Sequence, residues 1–169
     1  MKQVLEIPND FRRVPFFEDA TIIAYDAEKS FGELVEETCF LFDIEQQYKP
    51  WNEIEVSIAA VLSVWKVKKE ELSTFFRNRK EAKAPMVQFA GHLLSILHWM
   101  NGIPVTSLQN MSEQMERLEK KPVNFLERYS FIINKPNHYH SFIQLTQLYE
   151  EMEKLYAKIL IMQKKPSSR

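Results

Sequence analysis

Apolar residues along most of this chain recur three and four positions apart, the spacing of one face of an α-helix. A first helix is expected from Ser30, whose hydroxyl is placed to accept backbone N–H groups while Glu33 reaches back in a capping box. Phe31, Leu34, Val35, Thr38, Leu41, Phe42 and Tyr48 carry its stripe. Pro50-Trp51-Asn52 breaks the pattern, and Asn52 suits the cap of a second helix running through Ile54, Ile58, Val61, Leu62 and Trp65. A third is expected from about Lys68 to Ala84, with Leu72, Phe75, Phe76 and Arg79 on one side. Between Pro85 and Met100 apolar residues leave only a narrow polar strip of Gln88, His92 and Ser95, extended one turn by Trp99; a helix of that kind belongs at the centre of a bundle.

Asn101-Gly102-Ile103-Pro104 reads as a helix stop. Residues 105–121 read as a connection with a short helix near Met111 to Leu118. A further helix starts at Pro122 with Phe125, Leu126, Tyr129, Ile132 and Ile133 inward, and Asn134 to Asn137 forms a turn. The last helix, about Tyr139 to Met162, keeps a heptad of Phe142, Leu145, Tyr149, Met152, Tyr156 and Ile159. The expected fold is all-α: a single compact bundle of five to seven helices over residues 29–163. An irregular arm (1–28) packs on the core, and a flexible tail (164–169) follows. Within the arm, Thr21 to Tyr25 pairs as a short strand only if a partner strand exists.

The composition fits this reading. The 169 residues are 45% hydrophobic and 27% charged, in the ordinary globular range for one domain with its own core. The chain has only three glycines, and none forms a Gly-rich phosphate loop, which ranks nucleotide-binding folds low. No apolar run approaches the length of a membrane span, and the single Cys39 forms no intramolecular disulfide, so a cytoplasmic protein is expected.

Charge is polarised along the chain. Residues 1–60 hold five basic and 13 acidic groups, whereas residues 61–169 hold 17 basic and 10 acidic, beneath a total of only −1. Either the two parts answer each other inside the fold or the protein shows a basic face to a polyanion. Lys66, Lys69, Arg77 and Lys80 would lie within about 80° of one another on one continuous helix, a stripe able to track phosphates, although Glu70 and Glu81 border it.

Candidate chemistry is sparse. His92 and His98 stand about 600° apart on one helix, so they do not share a metal; a site would need His138 and His140 to converge with one of them across the bundle. His92 is expected as a hydrogen-bonded group, and His138 and His140 as turn residues. Cys39 reads as a small buried apolar residue. Glu33, Glu36, Glu37 and Asp43 read as the wet face of the first helix. Arg79, on the apolar side of its predicted helix, needs a carboxylate or carbonyl partner, a stem laid along the core with its head in water, or an anionic ligand. No catalytic, cofactor or metal-ligating residue is assigned. Gln88, His92, Ser95 and Trp99, with Arg79, are the candidate lining of a ligand or partner groove, and Trp65 is a second candidate anchor.

Several spaced patterns carry a family resemblance: Pro50-Trp51, the segment Trp65 to Arg79, and the run Phe89 to Val105 ending Trp99-Met100-Asn101-Gly102-Ile103-Pro104-Val105. Pro122-Val123-Asn124-Phe125-Leu126-Glu127-Arg128, Gln144-Leu145 and Glu151 continue it. Over about residues 50–160 the chain resembles the YpoC-like proteins of Bacillus-type bacteria. The resemblance supplies no active site to carry over. Genes of this family tend to lie near those for DNA repair, replication and cell-wall synthesis, which implies nucleic acid as an alternative partner. The leading expectation is a non-enzymatic module that binds another protein. An accessory nucleic-acid-binding protein is the alternative, and a helical metal-dependent enzyme is third.

Overall fold

Ser30 does open a helix. In the computed structural model, which describes residues 1–164, its Oγ accepts from Glu33 N at 3.2 Å and Glu33 Oε1 accepts from Ser30 N at 3.0 Å, so both arms of the capping box are made. This helix, α1 (Phe31–Glu37), is shorter than the expected stripe. Thr38 is extended, Phe40 takes a left-handed conformation with φ 64°, and a second short helix, α2 (Leu41–Glu45), follows. The cause of the break is tertiary. Phe40 is buried in a cluster of rings with Phe11 at 5.6 Å and Phe16 at 5.3 Å, which a continuous helix would not reach.

The second and third expected helices are one. Helix α3 (Ile54–Arg77) runs unbroken, because no glycine or proline interrupts it and Leu72 falls seven residues after Trp65 on the same buried side. Its cap position is held by Glu53, not Asn52, without a side-chain bond. Because α3 ends at Arg77, Arg79 lies outside it and is exposed, with φ 56° in the chain reversal. Its expected place on an apolar helix face is therefore wrong.

Helix α4 (Lys83–Met100) is the central element: every residue from Phe89 to Met100 is buried. Pro85 sits in its first turn, where the missing N–H costs no hydrogen bond. The predicted stop holds: Gly102 has φ 79°, Ile103 N donates to His98 O, and Asn101 Nδ2 ties Leu97 O to Lys120 O. Helices α5 (Met111–Arg117), α6 (Phe125–Asn134) and α7 (Tyr139–Lys164) complete the bundle. Tyr129 of α6 and Tyr149 of α7 donate to the carbonyls of Ala90 and Phe89, each at 2.6 Å, and Trp65 stacks on Tyr149 at 4.2 Å.

The fold is predominantly helical but not purely so. The arm holds an antiparallel pair, β1 (Lys2–Glu6) and β2 (Ile22–Asp26), with Lys2 opposite Asp26; the partner strand that Thr21 to Tyr25 required is Lys2 to Glu6. The arm is fastened to the connection after α4 by Arg13 Nη1 donating to Leu108 O at 2.8 Å and by Leu108 N donating to Asp10 O at 2.7 Å. One hydrophobic cluster runs from Ile7 of the arm to Ile159 of α7. Lys164 ends α7, and the rest of the expected tail lies outside the described residues.

Gly91 is where α4 meets the α1–α2 break. A methyl group there would stand 2.8 Å from both Cβ and Sγ of Cys39. Gly91→Ala is therefore expected to destabilise the protein by about 1–3 kcal/mol in urea unfolding, although alanine is the better helix former. A gain in stability would show that the close approach is not real.

Candidate functional site

The polar strip of α4 is a seam closed against α1 and α2. Gln88 Nε2 donates to Val35 O at 2.9 Å and to Glu36 O at 2.8 Å, and His92 Nε2 donates to Val35 O at 2.7 Å. These are terminal carbonyls of α1 that no intrahelical N–H reaches, so α4 side chains cap a neighbouring helix. One and two turns further on, Ser95 Oγ donates to Asp43 Oδ2 at 2.7 Å and Trp99 Nε1 to Asp43 Oδ1 at 2.9 Å. The Val105 amide adds a third bond to Asp43 Oδ1 at 2.9 Å.

Asp43 thus joins α2, α4 and the connection after α4, at only 1% exposure. The wet-face reading fails for this one carboxylate. On an unbroken helix it would lie about 150° from the centre of the apolar stripe, but the break at Phe40 turns it inward. The three glutamates stay at the surface: Glu33 in the capping box, Glu37 paired with Lys29, and Glu36 exposed. Burial pushes the Asp43 carboxyl up to about 6, against the pull of its bonds from Val105, Ser95 and Trp99. Burial pushes His92 the other way, to about 4, and lowers His98 as well. It also pushes the Cys39 thiol up to about 12, so this cysteine is an apolar filler without thiolate character.

The groove expected on Gln88, His92, Ser95 and Trp99 is therefore not an open one. His92, Ser95 and Trp99 are buried, and Arg79 sits away from them at the end of α3. Trp65 is buried too and exposes no patch. The basic stripe also divides. Lys66 pairs with Glu153 at 3.0 Å, Lys69 is half-buried, Arg77 is the last residue of α3, and Lys80 lies beyond the helix with Nζ 6.0 Å from the Phe75 ring. His92 and His98 are buried while His138 and His140 are exposed at the start of α7, so the four do not converge. Among the described residues no group of three or more His, Cys, Asp or Glu side chains is placed to hold a metal ion.

Two concavities adjoin the α4 seam. One, of about 380 Å³, lies between the start of α3 and the ends of α4 and α7, with Trp99 as a wall and Glu53 and Glu55 at its mouth. The other is larger, about 680 Å³, and runs between the arm at Pro15–Glu18, the end of α1 and the start of α4. Its floor is apolar, from Phe16, Phe17, Ala84 and Val87, and Gln88 closes one side. Glu18, Glu37 and Glu81 stand around its rim with the one cation Lys83. Periodicity had no means of finding this groove, because its walls come from an arm with no sustained period and from the break in the first helix.

The sequence model of the YpoC-like protein family matches residues 55–164, which is α3 to α7. A Bacillus subtilis strain 168 protein titled "Uncharacterized protein YpoC" is 36% identical over 111 residues, covering 64% of this chain and 68% of that protein. No solved structure matches the chain. The arm, α1 and α2, which supply Asp43 and two walls of the groove, lie outside the family match.

The two buried ionisations oppose each other, which makes the seam testable. Between about pH 4 and 6 the folded state holds the Asp43 proton more tightly than the unfolded chain, so this group's contribution to stability falls as pH rises, by about 3 kcal/mol over the window. His92 stays neutral in the fold where the unfolded chain takes up a proton, so its contribution is lost as pH falls from about 6.5 to 4. Asp43→Asn should therefore lose stability on acidification more steeply than the parent, and His92→Gln less steeply, in denaturant titrations across pH 4 to 7. Parallel profiles for all three proteins would contradict the buried placement of both groups.

Proposed function

The chain belongs to the YpoC-like family, and we propose that it works as a non-enzymatic adaptor, receiving a basic, apolar segment of another protein in the groove between the arm, α1 and α4. The observation that carries this reading is the combination of an apolar floor with an acidic rim. Phe17, half-buried with φ 52°, and Val87 offer surface that stays in contact with water in the free protein. Glu18, Glu37 and Glu81 place negative charge around it. An amphipathic segment with leucine-like anchors and flanking lysines or arginines matches both features, with the apolar contact supplying affinity and the rim supplying orientation and on-rate.

The fate of the titratable groups supports a non-catalytic role. Asp43, His92, Tyr129 and Tyr149 are each spent on hydrogen bonds that hold one element to another. None of them faces the groove. Lys83 pairs with Glu18 at 3.1 Å, and Lys29 with Glu37, but Glu81 has no cation within ion-pair distance among the described residues. An incoming basic residue finds its partner there.

No described helix is long and apolar enough to cross a membrane. The test is calorimetry with two synthetic helical peptides of about 14 residues, one patterned with Leu and Lys and one with Leu and Glu. The basic peptide should bind in the micromolar range, Glu81→Lys should weaken it at least about fivefold, and Val87→Glu should abolish it in a protein that keeps its circular dichroism. Equal binding of the acidic peptide, or indifference to both substitutions, would remove the groove reading.

A further inference from the structure

At the end of the bundle where α3 passes to α4 and α6 to α7, two chain reversals are tied together by the Ala82 amide donating to Asn137 Oδ1 at 2.8 Å. The first carries Arg77, Arg79 and Lys80, and the second carries Lys135; all four are exposed. None of the four has a carboxylate within ion-pair distance among the described residues, and the two reversals together hold one acidic side chain, Glu81. Of the eleven other described cations in this basic half, Lys66, Lys68, Lys83, Arg128 and Lys164 each face a glutamate, and the remaining six are spread over α3, α5, α7 and the connection after α5 and are not gathered at one end. Positive charge is thus left unanswered at this end.

The same end also shows aromatic surface. Tyr139 is 56% exposed, yet Phe76 at 6.1 Å and Phe142 at 6.3 Å back its ring and hold it in place. Phe131, 41% exposed, stands one helical turn before Lys135 on α6. Arg79 adds a further sign. It occupies the left-handed position that closes α3, where glycine is sterically free and a long side chain is not. A fixed exposed ring beside clustered unpaired cations is the chemistry that holds a single strand: cations track the phosphates, and a base stacks on the ring whatever its identity.

We propose that this end of the bundle binds single-stranded nucleic acid, with Arg77, Arg79, Lys80 and Lys135 on consecutive phosphates and Tyr139 under a base. A duplex keeps its bases stacked and offers the ring nothing, so single strands are preferred. The four cations and Tyr139 are not among the residues lining the acidic groove, although the two surfaces meet at Glu81, so the variants that test this proposal leave Glu81 and Val87 unchanged.

The experiment is fluorescence anisotropy of a labelled oligothymidylate of about 20 nucleotides against the full chain, from about 25 to 250 mM salt. The logarithm of affinity should fall with the logarithm of salt concentration at a slope of about −3, four phosphates at about −0.7 each. Arg79→Glu with Lys80→Glu should weaken binding at least tenfold and flatten the slope. Tyr139→Ala should weaken it about tenfold with the slope unchanged. Lys154→Glu with Lys158→Glu makes the same change of charge more than about 20 Å away along α7 and should leave affinity within about twofold. Absence of binding at the lowest salt would overturn the proposal. So would equal losses from the two charge reversals, or a duplex of the same length binding as well as the single strand with Tyr139→Ala silent; those results describe general attraction to a polyanion.

Discussion

A carboxylate buried without a cation fixes how this bundle is assembled. Removing Asp43 from water costs several kcal/mol unless its oxygens are satisfied, and three neutral donors from two other parts of the chain satisfy them. Each donor is itself buried, so each needs the carboxylate as much as it is needed. The arrangement holds only if the first expected helix breaks at Phe40, if α4 turns Ser95 and Trp99 toward α2, and if the chain after Gly102 returns to bring Val105 alongside. One residue thereby ties three segments that share no local periodicity. Gln88 and His92 extend the same logic up the seam by capping α1.

The surface follows from this interior. Because α4 spends its polar strip on internal bonds, it offers no chemistry to solvent along that face. What remains outside is charge, and the polarised sequence resolves into partial compensation. Lys83 meets Glu18 and Lys164 meets Glu55 at 3.4 Å, joining the arm and the start of α3 to later elements, while Lys29 meets Glu37 within the acidic part. Exposed pairs of this kind contribute little stability. Their consequence lies in what they leave over: one carboxylate, Glu81, unpaired among the described residues at the rim of the apolar groove beside the arm, and positive charge at the α3–α4 and α6–α7 reversals. Two surfaces of opposite sign on one small body suit a protein that brings partners together.

The helical fold was legible where local signals and tertiary packing agree. The capping box at Ser30 and the stop at Asn101 to Pro104 stand as read because each rests on chemistry within one turn, and the central place of Phe89 to Met100 stands because nearly every position of that helix is apolar. Several boundaries were not legible: the cap of α3 is Glu53 in place of Asn52, α6 starts at Phe125 in place of Pro122, and two larger differences lie in the first half of the chain. The separate helices expected on either side of Trp65 to Lys68 are one, because nothing in the backbone enforces a break and α3 continues. The break at Cys39-Phe40 carries no glycine or proline; it is imposed by the ring cluster around Phe40 and the space above Gly91, contacts between residues up to about 50 positions apart. Asp43 was misplaced for that reason alone. His92 was read as a hydrogen-bonded group and is one, whereas the groove around it assumed that a polar strip must face outward.

The bonds to Asp43 are best tested by native-state hydrogen exchange at the Val105 amide and the Trp99 indole N–H. Both should exchange only through global unfolding, with the same protection as the core amides of α4. Exchange of either through a local opening, well ahead of those amides, would mean that the buried carboxylate decorates the bundle and does not hold it together.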